Sequence, residues 1–292
     1  MNTFSTMSTR KPYSWNCRDR EITLGDRSLV MGILNTTPDS FSDGGVYFDS
    51  AAAVAHALEM EAQGAEIIDI GGESTRPGAD PVSAEEEIRR TIPVIEGIRT
   101  QSNIALSIDT MKAEVAAAAM AAGADIINDV SGFEADPQIV HVAAETQAGV
   151  VLMHMKGTPR TMQNAPVYAD VVKEVGAYLA ARAAWAEQHG VARERIVLDP
   201  GLGLFGKTLE HNLELLRGLP KLAALGYPLL IGASRKRFIG DITGRTQPTE
   251  RTAGSLGAAA WAIAHGAHIL RVHDVIDTCD LCRMLDTLSS GE

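Results

Sequence analysis

At 292 residues, 45% hydrophobic and 22% charged, the chain has the composition of a soluble globular protein, with material for one large α/β domain or two ordinary ones. A formal net charge of −11 sets the bulk field against nucleic acid and anionic membranes, leaving only a local basic pocket for a small anion. Three cysteines (Cys17, Cys279, Cys282), a polar N-terminus through Asp26 and the lack of any long apolar run predict a cytoplasmic protein that spans no membrane.

In chain order, residues 1–29 read as an N-terminal extension whose stretch 10–29 forms a short hairpin, placed to close the floor of a barrel built from the rest of the chain. Apolar runs without period-two alternation then predict strand cores at 30–34, 66–70, 104–108, 125–127, 150–153, 195–198, 228–231 and 268–270. Ala-rich stretches predict helices at 50–63, 84–100, 112–122, 136–147, 168–189, 208–217, 250–265 and 274–288. Gly64, Gly123 and Gly266 sit where a helix must reverse into a strand through a residue at positive φ. Strand–helix alternation repeated this often is the tally of a (β/α)8 barrel. No Pro/Ser linker divides the chain, so residues 30–292 read as a single barrel domain.

Polar residues fall where the strands end. Asn35 ends the first strand, "GGESTRPG" the second and Asp109 the third; Asn128 and Asp129 end the fourth and His154 the fifth. Asp199, Ser234-Arg235-Lys236, and Arg271 with His273 end the last three. In a barrel these ends converge on the face that carries the chemistry. Asp109 alone reads equally as a cap for the helix beginning near Met111.

Asp109, Asn128 and Asp199 offer two carboxylates and an amide, a set suited to the N–H groups of an amino-pyrimidinone edge, with Lys236 facing a ring acceptor. Paired carboxylates suit acid/base catalysis or a metal as well. Asn35, Arg76, Arg271 and His273 come from strands that adjoin around a closed barrel and form an anion pocket of the kind that takes a diphosphate with Mg²⁺. The bland alternative for "RVHD" is a strand end satisfied by local hydrogen bonds.

"MGILNTTPDSFSDGG", "GAEIIDIGGESTRPGA", "SIDT", "GADIIND", "LMHMKGTPRTMQ", "LDPGLG", "GASRK" and "GAHILRVHDV" occur in this order over residues 31–275. Together they resemble the dihydropteroate synthase family. The resemblance implies a pterin-binding TIM barrel, usually a homodimer. It also implies condensation of (7,8-dihydropterin-6-yl)methyl diphosphate with 4-aminobenzoate to 7,8-dihydropteroate and diphosphate in folate biosynthesis, with sulfonamides competing for the aminobenzoate slot.

By the same resemblance Asn35 coordinates Mg²⁺ on the diphosphate. Asp109, Asn128, Asp199 and Lys236 grip the pterin against Met153, while Arg271 lies over the ring and with His273 meets the diphosphate. Phe41, Thr75, Pro77 and Ser234 shape the aminobenzoate slot beside Arg76. Lys236, Arg271, His273 and Asp109 are the catalytic candidates. Residues 36–45 are expected to fold over the substrates, hinged at Gly44 and Gly45, and keep water from an electrophilic carbon.

"GLGLFGKT" (201–208) has the spacing of a phosphate-binding P-loop between a strand and a helix. It sits in the sixth barrel unit, without a convincing later Walker-B Asp, and reads as the resembled family's shorter "DPG-x-G-F-G-K" loop lengthened by one residue. Cys279 and Cys282 read as two helix residues one turn apart, and His56, His141, His189 and His211 as solvent-facing helix residues. Glu85-Glu86-Glu87 opens a helix, where negative charge suits the dipole. His154 reads equally as a pocket residue or as a partner for buried backbone. Two rival functions, a pterin-binding methyltransferase of a related barrel family and a non-catalytic scaffold barrel, leave the diphosphate set or the intact Asp109, Asn128, Asp199 and Lys236 without a purpose.

Overall fold

A computed structural model of the protein describes residues 10–36, 50–74, 80–157, 162 and 166–290. Strands β1 (Tyr13–Cys17) and β2 (Arg20–Leu24) pair antiparallel, from Tyr13 opposite Leu24 to Cys17 opposite Arg20. Eight parallel strands come next: β3 (Leu29–Asn35), β4 (Ile67–Gly71), β5 (Ala105–Asp109), β6 (Ile126–Asp129), β7 (Gly149–Met153), β8 (Ile196–Asp199), β9 (Leu230–Ile231) and β10 (Ile269–Val272). Their order is β8-β7-β6-β5-β4-β3-β10-β9. A parallel bridge between Leu198 and Leu229 draws β8 and β9 together, and the Leu198 N–H donates to the Pro228 carbonyl at 3.0 Å. The result is the nearly closed barrel that the alternation predicts.

Between the strands run α1 (Ser50–Ala62), α2 (Ala84–Arg99), α3 (Ala113–Ala122), α4 (Ile139–Thr146), α5 (Val171–Gln188), α6 (Leu209–Arg217), α9 (Thr252–Ala264) and α10 (Val275–Ser290), each close to its predicted span. Two short helices, α7 (Leu219–Ala223) and α8 (Arg237–Thr243), were not predicted. Neither is long enough to display an apolar period. Gly64, Gly123 and Gly266 take φ of +107°, +111° and +102°, as the helix-to-strand reversals require. At the start of α2, Ser83 accepts from the Glu86 N–H and Glu86 pairs with Arg89 and Arg90, whereas Glu87 turns inward, fully buried, to meet Lys112.

Side-chain alternation sorts the strands into two faces. Val30, Ile68, Leu106, Ile127, Leu152 and Leu198 pack outward under the helices. Leu29, Met31, Ile67, Ala105, Ile126, Val151, Val197, Leu230 and Ile269 point to the barrel axis and pack with Trp15, Cys17 and Leu24 of the hairpin. The hairpin is therefore the floor. Trp15 is fully buried and its indole N–H donates to the Arg195 carbonyl at 2.9 Å. Gly149 makes room for the hairpin, since a Cβ there would overlap the Cys17 sulfur and press on the Trp15 ring at 3.2 Å.

His268 ties the seam beside β9. Its Nδ1 accepts from the Leu229 N–H at 3.2 Å, and its Nε2 lies 3.0 Å from the Lys11 carbonyl, so Nε2 carries the proton. Burial pushes its pKa down to about 4.

Candidate active site

The parity that builds the apolar core also aims the polar strand ends. Counting in twos from Met31, Ile67, Ala105, Ile126, Val151, Val197 and Ile269 brings Asn35, Asp69, Asp109, Asn128, Met153, Asp199 and Arg271 to the barrel interior, mostly at its carboxyl-end mouth. Asp109 does not cap a helix. The N–H of Ala113, the first residue of α3, goes to Asp136 instead, and Asp109 Oδ2 takes the Arg271 Nη2 at 2.6 Å. The heterocycle set and the anion set of the sequence reading therefore touch.

Arg271 makes a second ion pair, Nε to Asp69 Oδ2 at 2.5 Å, and Asn128 Nδ2 donates to the same oxygen at 3.0 Å. Burial pushes the Asp109 carboxyl up to about 7; the like charges of Asp69, Glu87 and Asp129 add to this and Arg271 opposes it. Burial also works against the Arg271 charge, but Asp69 and Asp109 outweigh it and hold the guanidinium firmly protonated.

Asp199 Oδ1 accepts from the Gly201 N–H at 2.7 Å, and burial raises its pKa while Lys236 pulls it back. The Lys236 ammonium donates to the Leu202 carbonyl and stands 5.1 Å from the centre of the Phe205 ring. Burial lowers its pKa to about 8, with Asp199 opposing. Arg235 takes a left-handed φ of +58°, unusual for a residue with a side chain, in the turn between Ser234 and Lys236. Ser255 Oγ accepts its N–H, and Asp274 receives its guanidinium at 2.5 and 3.1 Å.

Ser234 Oγ accepts the His273 N–H at 3.1 Å and lies 3.0 Å from its Nδ1. "RVHD" is thus partly satisfied locally, as the bland alternative has it. Burial, then Arg235 and Arg271, push the His273 pKa down to about 4, so near neutrality it offers an N–H rather than a charge. Met153 is buried at the end of β7, and Asn35 is half-buried at the end of β3 with no side-chain hydrogen bond among the described residues. Phe41, Thr75, Arg76 and Pro77 lie outside the described residues, as does most of the 36–45 loop.

A profile of the pterin-binding enzyme family matches residues 31–273. A dihydropteroate synthase from Synechocystis is 51% identical over 264 residues, 90% of this chain and 91% of that protein. This chain belongs to the dihydropteroate synthase family. The Xanthomonas albilineans dihydropteroate synthase with 4-aminobenzoic acid superposes with a TM-score of 0.89 at 48% identity, covering 96% of this chain and 99% of that one. The Yersinia pestis dihydropteroate synthase in a sulfonamide complex gives 0.89 at 40% identity, over 96% and 100%.

Within this dihydropteroate synthase barrel the P-loop spacing is a coincidence. Lys207 is 1% exposed, and its ammonium is spent on His154 Nδ1 (2.9 Å), the His154 carbonyl (3.2 Å) and the Phe205 carbonyl (3.1 Å). The Thr208 hydroxyl caps α6 by accepting the His211 N–H, and His211 Nδ1 accepts the Thr208 N–H in return. Neither side chain is left for a phosphate. Lys207 instead fastens the loop carrying Leu202 and Phe205 onto the end of β7. Gly201 permits that approach: at φ +68° it lies against the His154 carbonyl, which a Cβ would meet at 2.1 Å. His154 is thereby assigned to holding this loop.

Sequence reasoning passed over Asp69 and Lys207. A signal for Asp69 was present, a single carboxylate inside the apolar run "IIDIGG", which a buried strand tolerates only with a partner. Lys207 gave a misleading one, since its spacing says nothing about which way the side chain turns.

Proposed function

We propose that this member of the dihydropteroate synthase family joins (7,8-dihydropterin-6-yl)methyl diphosphate to 4-aminobenzoate, giving 7,8-dihydropteroate and diphosphate. The observation that carries this reading is the Arg271 fork, one guanidinium held between Asp69 and Asp109, beside Asn128 and Lys236. It joins acceptors for a base edge to a cation for an anionic tail.

In this reading Asp109, Asn128 and Asp199 take up the pterin's N–H groups, and Lys236 donates to a ring acceptor over Met153. Arg271 and the neutral His273 donate to the diphosphate. The C–O bond at the pterin methylene breaks, and its electron pair leaves with the diphosphate. The aniline nitrogen then uses its lone pair to form the C–N bond and sheds a proton. Arg76 supplies further positive charge, while Phe41, Thr75, Pro77 and Ser234 hold the aminobenzoate.

The donor set fits Mg²⁺ carried on the diphosphate rather than a metal caged by protein. No cluster of three or more His, Cys, Asp or Glu suited to a metal occurs among the described residues, whereas Mg²⁺ commonly binds substrate phosphates through only one or two protein oxygens. Asn35 is the residue that would hold it. The described site sets the carboxylates Asp69, Asp109 and Asp199 against the cations Arg271 and Lys236, so an incoming diphosphate calls for added positive charge. Bound Mg²⁺ would neutralise the charge that develops on the leaving group.

We further propose a homodimer working in the cytoplasm. No helix among the described residues is long and apolar enough to cross a membrane. The test of function is diphosphate release that depends on both the dihydropterin diphosphate and 4-aminobenzoate. Release without 4-aminobenzoate, or none with both, would overturn the reading.

A further inference from the structure

Asp69 is a fully buried carboxylate two residues inside β4, and a charge in that position is costly unless it is put to use. Its Oδ2 takes Arg271 Nε at 2.5 Å and Asn128 Nδ2 at 3.0 Å, so strands β4, β6 and β10 meet at one oxygen. Its Oδ1 has no hydrogen-bond partner among the described residues, nor does the Oγ of Ser107 on the neighbouring strand. The carboxylate is committed to holding Arg271 and Asn128.

The other arm of the fork differs. Asp109 stands at the strand end, with its side chain 13% exposed against 0% for Asp69, and it holds the guanidinium through the distal Nη2. A carboxylate receives a two-N–H heterocycle edge through both of its oxygens, and in the free protein Arg271 occupies one of those on Asp109. Arg271 and the base edge compete for the same acceptor.

We propose that Asp69 is a positioning residue, the fixed pivot about which Arg271 swings when the pterin binds. The heterocycle displaces Nη2 from Asp109 while Nε stays on Asp69, and the freed end of the guanidinium turns to the diphosphate. Occupying the base site thus arms the anion site. This rests on the pterin reading above and assigns Asp69 a task that none of the sequence-derived site residues has.

The test compares two ligands that differ only in the tail, 6-hydroxymethyl-7,8-dihydropterin and its diphosphate, binding to wild type and to Asp69→Asn by calorimetry with Mg²⁺ present. In wild type the diphosphate ester binds more tightly than the alcohol. In Asp69→Asn that advantage falls at least tenfold, beyond whatever the alcohol itself loses because Asn128 has lost the carboxylate it donates to. Equal weakening of both ligands would mean that Asp69 only shapes the pocket, and an undiminished advantage would mean it does nothing; either result overturns the proposal.

A structure of the wild-type protein with the alcohol bound gives a second reading that needs no variant to fold. Arg271 Nη2 should have left Asp109 while Nε remains on Asp69; a guanidinium still on Asp109 refutes the swing. Wild type that binds neither ligand removes the pterin reading and this proposal with it. Wild type that binds both while the fork stays closed removes the swing alone.

Discussion

Replacing Lys236 with Met keeps an unbranched apolar stem of the same reach and removes the ammonium at its end. That ammonium is buried among Asp199, Asp109 and Arg271, and its pKa of about 8 leaves it ~90% charged at pH 7. A hydrogen bond from a charged donor contributes about 1.5–3 kcal/mol, and a buried acceptor left without a donor costs roughly 1–3 kcal/mol more. Together these predict a loss of about 3–5 kcal/mol of transition-state stabilisation. At about 1.4 kcal/mol per factor of ten, kcat/KM should fall by roughly two to four orders of magnitude. The assay is diphosphate release with both substrates, run across pH 6–10 on protein whose circular dichroism matches wild type. Because the free enzyme must hold the proton on Lys236, wild-type kcat/KM should decline above about pH 8. Lys236→Arg should lose that alkaline limb, since a guanidinium does not titrate there. A Lys236→Met enzyme within threefold of wild type, or an alkaline limb untouched by Lys236→Arg, would refute the assignment.

Trp15→Ala opens a cavity in the hairpin floor and should cost about 3–5 kcal/mol, lowering the thermal midpoint by roughly 5–8 °C for a chain of this length, while kcat below the transition stays near wild type. His268 keeps its neutral form when folded, with a pKa near 4 against 6.5 unfolded, so the folded chain binds fewer protons than the unfolded one between those values. Its share of stability is full above pH 6.5 and is lost as pH falls toward 4. Urea titrations should show wild type losing up to about 1.4 kcal/mol per pH unit relative to His268→Gln over that window. A chelator should abolish turnover and leave binding of the 6-hydroxymethyl pterin unchanged. Asn35→Ala should raise the Mg²⁺ concentration needed for half-maximal rate.

Asp109, Asn128 and Asp199 were legible because each ends an apolar run, and in a parallel barrel a run's end is the mouth. Asp69 obeys the same inward parity but lies one step deeper, where a sequence shows an interrupted strand and not the arginine opposite. Spacing along one segment says nothing of a partner some two hundred residues away, which is why the Asp69–Arg271 pair emerges only once the barrel is closed. Lys207 fails for the complementary reason. Its local pattern matches a phosphate loop, and tertiary burial against His154 decides the matter. Helices α7 and α8 were missed because each is too short to show a period, and β9 is shorter than predicted because Pro228 has no N–H to give a ladder and the Leu229 N–H goes to the His268 ring.

The barrel's interior runs from an apolar floor to an ionic mouth, and this gradient explains how one fold supports both stability and chemistry. Trp15, Leu24 and the first inward layer are wholly apolar. Asp69 and Ser107 form the next step, and Asp109, Asn128, Asp199 and Arg271 the rim. At the rim the side chains of Asp109 and Arg271 keep 13% and 20% of their exposure, whereas that of Asp69 keeps none. Asp69, one layer down, is tolerable because a cation and an amide both reach it. Moving such a carboxylate another layer toward the floor would leave it among Leu29, Met31 and Ile67 with no donor. The depth of Asp69 is therefore close to the limit at which a charge can still steer Arg271, and that depth is what makes it the rigid arm of the fork while Asp109 remains the arm that can let go.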